Sequence, residues 1–264
     1  MRTYRYWASL EAELPLKEGS QKTRILAGSN ASEAEAQQEA QRRLAWVQAR
    51  IQGHEPPLEA YEVDIRETVL ETPAEDAVVT RNRYGAHVLN CATLPILDID
   101  EPPRRLWDLF ARKTPAWRQA RMEAVLTELA AGEPRLGFRL YATAKGFRVV
   151  VLGADLEPKA PRMARLARRL NVDALYWTLC LKQGCYRARL TPKPSRIGCP
   201  TIRVPFPPTP DQAAQVAAWE ETYAAHAGRY ATCRFLRAFG PEPAHPLVKL
   251  HDTRTGAHSE RRLG

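Results

Sequence analysis

The sequence contains no run of about 18 apolar residues, the length a helix needs to cross a bilayer. Its basic, aromatic start, Met1-Arg-Thr-Tyr-Arg-Tyr-Trp7, is followed by no apolar core of a secretory signal. These absences lead us to expect a cytoplasmic protein with no membrane association. Cysteine is scarce and its spacing is unpaired. Cys91, Cys180, Cys185, Cys199 and Cys233 include no CxxC knuckle and no disulfide framework, so reduced thiols are expected. Zinc held by Cys180, Cys185, Cys199 and Cys233 is the subordinate reading of that set. No internal repeat and no low-complexity block is present. Acidic residues are the minority, 30 Asp and Glu against 39 Lys and Arg, and the net charge of +9 favours a polyanionic partner, nucleic acid before acidic membrane.

What is there suits a globular chain. Hydrophobic residues make up 44% and charged residues 26%, enough apolar material for a real core, so long disorder is not expected. Residues 4–14 and 22–27 read as strands around the turn Lys17-Glu-Gly-Ser20. Ser32-Glu-Ala-Glu35 is a capping-box pattern that opens a helix running to Ile51. Pro56-Pro57 break the chain, Tyr61 to Arg66 alternates as a strand, and a loop follows through Thr72-Pro-Ala-Glu-Asp76. Helical patterns cover Arg104 to Lys113 and Pro115 to Ala131, then a hairpin pairs Leu136–Tyr141 with Phe147–Leu152 across Thr143-Ala-Lys-Gly146. Pro161–Leu170 is a short helix with an Arg-rich outer face. Thr209 caps a helix to Ala227, Arg229 to Phe239 reads as a strand, and the polar tail from His251 is expected to be mobile at its Arg261-Arg262 end.

The stretch that organises the rest is Leu94-Pro-Ile-Leu-Asp-Ile-Asp-Glu101. An apolar strand delivers Asp98 and Asp100 at its end, and alternation puts both carboxylates on one face. Two close carboxylates repel unless a cation lies between them, and hard divalent ions prefer oxygen, so Mg2+ or Mn2+ is expected there. A strand merely ending in acidic residues before a proline turn is the alternative. Nearby His87, alone in its stretch, reads as structural rather than as a ligand.

Two basic segments supply the second half of a site. Gly146 lets backbone amides approach an anion, with Lys145 and Arg148 as point charges. Arg187 and Arg189 share a strand face, and Lys193 and Arg196 follow in a proline-stiffened loop with Thr191 and Ser195 hydroxyls. Four cations and two hydroxyls in ten residues make a phosphate or nucleotide cradle. An edge strand guarded by charge is the competing reading.

In order, these features resemble the archaeo-eukaryotic primase superfamily, which includes the primase-polymerases. Ile96-Leu-Asp-Ile-Asp100 resembles its Asp-x-Asp strand, Thr143-Ala-Lys-Gly-Phe-Arg148 its second motif, and Val172-Asp173 its hydrophobic-Asp third motif. The resemblance spans about residues 78–200. It implies an α+β fold, with a primase-polymerase-like antiparallel or mixed sheet flanked by helices. It also implies a catalytic core at 78–208, between an N-terminal extension (1–77) and a C-terminal one (209–264). Asp98, Asp100 and Asp173 would hold two divalent ions for nucleotide transfer to the 3'-hydroxyl of DNA or RNA. Thr143, Lys145, Gly146, Arg148, Arg187, Arg189, Lys193, Ser195 and Arg196 would hold nucleoside triphosphate or the nucleic-acid backbone. Where the family has His this chain has Arg148, which clamps phosphate but does not titrate near neutral pH. Two functions follow as expectations: a metal-dependent nucleotidyltransferase, or a catalytically degenerate relative that binds nucleic acid or nucleotide.

Overall fold

The computed structural model describes residues 1–16, 19–54, 63–104, 112–203 and 206–264. Its elements run β1 (Tyr6–Leu16), β2 (Gly19–Ser29), α1 (Glu33–Ile51), β3 (Thr68–Ala74), β4 (Ala77–Arg81), β5 (His87–Cys91) and β6 (Ile96–Ile99). They continue through α2 (Pro115–Gly132), β7 (Gly137–Thr143), β8 (Phe147–Leu152), α3 (Pro161–Leu170), α4 (Ala174–Gln183) and β9 (Tyr186–Arg189). The chain closes with α5 (Pro210–Ala227), β10 (Tyr230–Ala231), β11 (Cys233–Phe239), α6 (Pro246–Thr255) and β12 (Arg262–Leu263). The fold is α+β, as the sequence led us to expect.

Two four-stranded antiparallel sheets position the site. One has the order β11-β7-β8-β6 and the other β3-β4-β5-β9. Strand β8, Phe147-Arg-Val-Val-Val-Leu152, is buried at all six positions, which is why it is β-branched and almost uniformly apolar. Arg148 is its one polar residue. A single core joins Val79 and Leu89 of one sheet with Ile96, Leu140 and Val150 of the other. Helix α2 adds Met122, Leu126 and Leu129, and α3 adds Met163, Leu166 and Leu170.

Outside these sheets, β1 and β2 form a long hairpin in continuous register from Tyr6↔Ser29 to Leu16↔Gly19. Helix α1 is tied to it by Arg43, whose guanidinium donates to the Leu26 carbonyl (2.9 Å) and to Asp64 (2.7 Å). Ser32 caps α1 by accepting from the Glu35 N–H.

Several expectations need correction. The described part of the anticipated strand at 61–66 has no strand pairing. Asp64 and Ile65 are both buried, so alternation fails, and Val63 and Ile65 donate to two separate partners, Lys182 and Arg2. The anticipated loop at 72–76 is mostly strand β3, which tolerates Pro73 because it is a sheet edge. Most of the anticipated helix at 104–113 lies outside the described residues. Arg104, Arg112 and Lys113 are not helical. The tail is ordered: α6 buries His251 and Thr255, and β12 pairs in parallel with β10. The boundary drawn at 77/78 falls at the start of β4, within the β3–β4 pair. The segment beyond 208 contributes β11 to the sheet that carries Asp98.

Candidate functional site

Ile96, Leu97 and Ile99 are buried on β6, which leaves Asp98 half-buried on the strand and Asp100 exposed at the bend after it. Directly opposite Asp98 on β8 is Arg148. Arg148 in turn faces Tyr141 on β7, and Tyr141 faces Phe235 on β11, so one row of side chains runs across all four strands. Helix α6 covers this row. Tyr141 meets both Phe235 and His251 edge to face, at 5.5 and 5.0 Å between ring centroids.

Arg148 is 1% exposed, and its donors are spent on the protein. Nε donates to Asp98 Oδ1 (2.8 Å), and Nη1 donates to the Arg189 carbonyl (3.0 Å) and lies 3.2 Å from His251 Nε2. Burial disfavours the guanidinium charge, but Asp98 outweighs it and holds the Arg148 pKa above its ordinary value. The bond to Arg189 also stitches β8 of one sheet to β9 of the other. Arg148 therefore serves as a buried strut, where the sequence suggested a clamp on a phosphate.

Asp173 lies close to Asp98 in the backbone, its N–H donating to the Asp98 carbonyl at 3.1 Å. Its carboxylate caps α4, accepting from the Tyr176 N–H at 2.6 Å. Tyr176 donates its hydroxyl to the Ile96 carbonyl, so the start of α4 is fastened to β6. Among the described residues, no three His, Cys, Asp or Glu side chains are grouped to hold a metal ion. Two of the three aspartates have protein partners, Asp98 in the Arg148 guanidinium and Asp173 in the Tyr176 N–H. The five cysteines are buried and free.

The β7–β8 turn closes on itself: the Gly146 N–H donates to Thr143 Oγ1 (3.1 Å), and the Thr143 N–H to the Gly146 carbonyl (2.9 Å). A Cβ on Gly146 would lie 2.2 Å from the Ile99 carbonyl oxygen. Close approach to the Asp-Ile-Asp backbone thus accounts for this glycine. Arg118 of α2, which the sequence reading missed because it looked for the apolar face of that helix, donates to the Asp100 carbonyl and to the Lys145 carbonyl (3.2 Å). The Lys145 side chain stays exposed.

The cations at the β9 end divide into two groups. Arg187 makes a two-armed bond to Glu67 (2.6 and 2.7 Å), Arg81 pairs with Glu220 (2.6 Å), and Arg254 with Glu71 (2.9 Å). The acids nearby are consumed by these pairs. Among the described residues, Arg66, Arg83, Arg189, Lys193 and Arg196 have no carboxylate partner. Burial pushes the Arg189 pKa below its usual value, and Asp98, already paired with Arg148, offsets this only in part.

Contacts link Arg83, Lys193 and Arg66, and Arg189 lies near enough to Arg196 for the two charges to repel. Tyr84 holds two of these cations: Lys193 Nζ lies 5.1 Å above the ring, and Arg83 lies 4.8 Å above it while donating to the phenol oxygen (2.6 Å). Arg83 then lines a shallow open cleft with Arg66, Arg81, Asn82 and Phe206. Arg187 and Arg189 do share one face of β9, opposite buried Tyr186 and Ala188. Thr191 is already engaged, accepting from the His87 N–H (2.8 Å) and the Tyr223 hydroxyl (2.7 Å), whereas Ser195 is exposed.

The fold and site thus define an α+β protein with a buried Asp-Arg-His cluster beside a strip of unpaired cations. No family model, no curated protein and no solved structure matches the chain. Among the described residues, no helix is long and apolar enough to cross a membrane.

Proposed function

We propose that this protein binds the phosphates of a nucleic acid or nucleotide along the strip formed by Arg189, Arg196, Lys193 and Arg83. The observation that carries this reading is the missing countercharge: five cations are gathered at one end of a sheet whose local acids are committed elsewhere. A half-buried guanidinium with no carboxylate partner can give charge-assisted hydrogen bonds to an incoming anion. Arg189 meets that description. The net charge of +9 supports the same class of partner.

Binding is tested by anisotropy titration of labelled single-stranded and duplex oligonucleotides at several salt concentrations, with unlabelled nucleoside triphosphate as competitor. Arg189→Ala should weaken binding and reduce the log–log salt slope by about one. Arg187→Ala should leave that slope unchanged, because its guanidinium is spent on Glu67. Affinity that ignores both salt and Arg189 would refute the reading.

A second reading, metal-dependent nucleotide transfer by a primase-like site, is favoured by one observation. Asp98 lies near the end of β6 with Asp100 at the bend two residues on, and the Asp173 N–H donates to the Asp98 carbonyl. It requires Asp98 and Asp173 to exchange Arg148 and the helix cap for Mg2+ or Mn2+, which would supply activation of the attacking hydroxyl. Incorporation of labelled nucleotide on a primed template with either ion, abolished in Asp98→Ala and Asp100→Ala, would establish it. Its absence, with binding retained, leaves the binding function.

A further inference from the structure

His251 has no role in the functions above, yet it sits at the centre of the buried polar cluster with 0% exposure. Four elements face it. Arg148 of β8 points Nη1 at its Nε2 (3.2 Å), and Cys233 of β11 lies 3.9 Å from the same atom. Tyr141 of β7 packs edge-on against the ring, and on its own helix Asp252 Oδ1 is 2.9 Å from Nδ1. Asp252 also accepts from Tyr141 (2.8 Å) and Arg139 (2.7 Å), and has His258 3.2 Å away.

The donor inventory fixes the tautomer in this geometry. Asp252 is an acceptor, so Nδ1 carries the proton, while Arg148 has only donors, so Nε2 presents its lone pair. A second proton on the ring would set Nε2–H against Arg148 N–H, two donors face to face, with the Cys233 sulfur as the nearest remaining acceptor. Arg148 has somewhere to go. Its Nη2 donates to Asp98 Oδ2 over a long 3.5 Å, a bond that a small displacement would shorten.

We infer that His251 is a positioning residue for the anion site: its Nε2 lone pair holds Arg148 back from full engagement with Asp98. Protonation lets Arg148 Nη2 draw closer to Asp98, with which Nε is already paired, and adds one positive charge to the cluster beside Arg189. Anion binding then strengthens as pH falls, through a side chain that never meets the ligand. Burial opposes the imidazolium, but hydrogen bonding to Asp252 and Cys233 outweighs it and raises the His251 pKa above the ordinary histidine value.

The inference rests on the proposed anion site, and the experiment has two arms so that each can fail separately. The first measures anisotropy of a labelled oligonucleotide lacking terminal phosphates, so that the probe does not titrate, between pH 5.5 and 8.5. Affinity should rise toward low pH with a slope of at most one proton. His251→Gln, whose side-chain oxygen accepts from Arg148 but takes up no proton, should bind with a flat profile. His258→Gln and His87→Gln should keep the step. A step that survives in His251→Gln, or disappears in either control, overturns the inference.

The second arm needs no ligand. Nitrogen-15 NMR of the imidazoles should give the Nδ1–H tautomer for His251 at pH 8.5, with the Arg148 Nε–H resonance moving along the His251 titration. An Nε2–H tautomer, or an Arg148 signal indifferent to that titration, overturns the inference even if the oligonucleotide binds. Absence of any oligonucleotide binding refutes the anion site and leaves the tautomer and the Arg148 coupling to this arm.

Discussion

Asp98 and Arg148 are paired twice, once as direct cross-strand neighbours on β6 and β8 and once through a 2.8 Å ion pair between their side chains. The exposures are unequal, 28% for Asp98 and 1% for Arg148. The buried partner therefore depends on the half-exposed one for its countercharge.

Removing the guanidinium should be costly. Arg148→Met fills similar volume but leaves the Asp98 carboxylate, the Arg189 carbonyl and His251 Nε2 without their donor. A loss of about 3–5 kcal/mol is expected on breaking a buried pair from one side. Arg148→Lys should recover only part of it, since one ammonium cannot span three acceptors set around a planar fork. Urea unfolding midpoints measure both, and a wild-type midpoint for Arg148→Met would contradict the strut role.

Asp252 sets an acid limit on stability. Burial pushes its carboxyl up, but hydrogen bonds from His251 and Tyr141 and the nearby Arg139 charge bring it down to about 2. A carboxyl with a depressed native pKa stabilises the fold fully above its ordinary value of 3.8 and loses that contribution as pH falls through about 2. Between those limits the wild type should lose about 2 kcal/mol on this account. Asp252→Asn should lack this part of the decline, which denaturant titration across pH 2–5 would reveal.

Gly146 is the point where the β7–β8 turn touches the end of β6. In Gly146→Ala the new methyl would meet the Ile99 carbonyl and the Asp100 backbone, neither of which is the far end of a flexible side chain. Overpacking of this kind costs about 1–3 kcal/mol and should move Asp98 and Asp100 together. A lowered Tm with altered amide shifts at Ile99 to Glu101 is expected. Unchanged shifts would place the strain elsewhere.

Periodicity and capping chemistry were sufficient for much of the fold. Ser32, Gly132, Thr209 and Gly228 mark helix ends where the chain places them, and the alternation of Leu136–Tyr141 against β-branched Phe147–Leu152 reads directly as the central hairpin. These are local signals, carried by residues a few positions apart. The shared face of Arg187 and Arg189 belongs with them, because it follows from a period of two.

Partner choice is a different matter. Arg148, Arg187 and Arg189 are indistinguishable as letters, yet one is buried against Asp98, one is bound to Glu67, 120 positions away, and one has no carboxylate at all. Asp173 reads as a candidate ligand until α4 uses it as a cap. His251 and Asp252 read as part of a polar tail until α6 folds over the row of Phe235, Tyr141, Arg148 and Asp98. The sequence alone determined α1, α2, α5 and the β7–β8 hairpin and where positive charge accumulates, since these depend on neighbours along the chain, whereas 61–66, β3 and α6 take their form from distant partners. Only the tertiary structure decided which charges are neutralised and which remain available, because that depends on acids and arginines brought together from distant strands and helices.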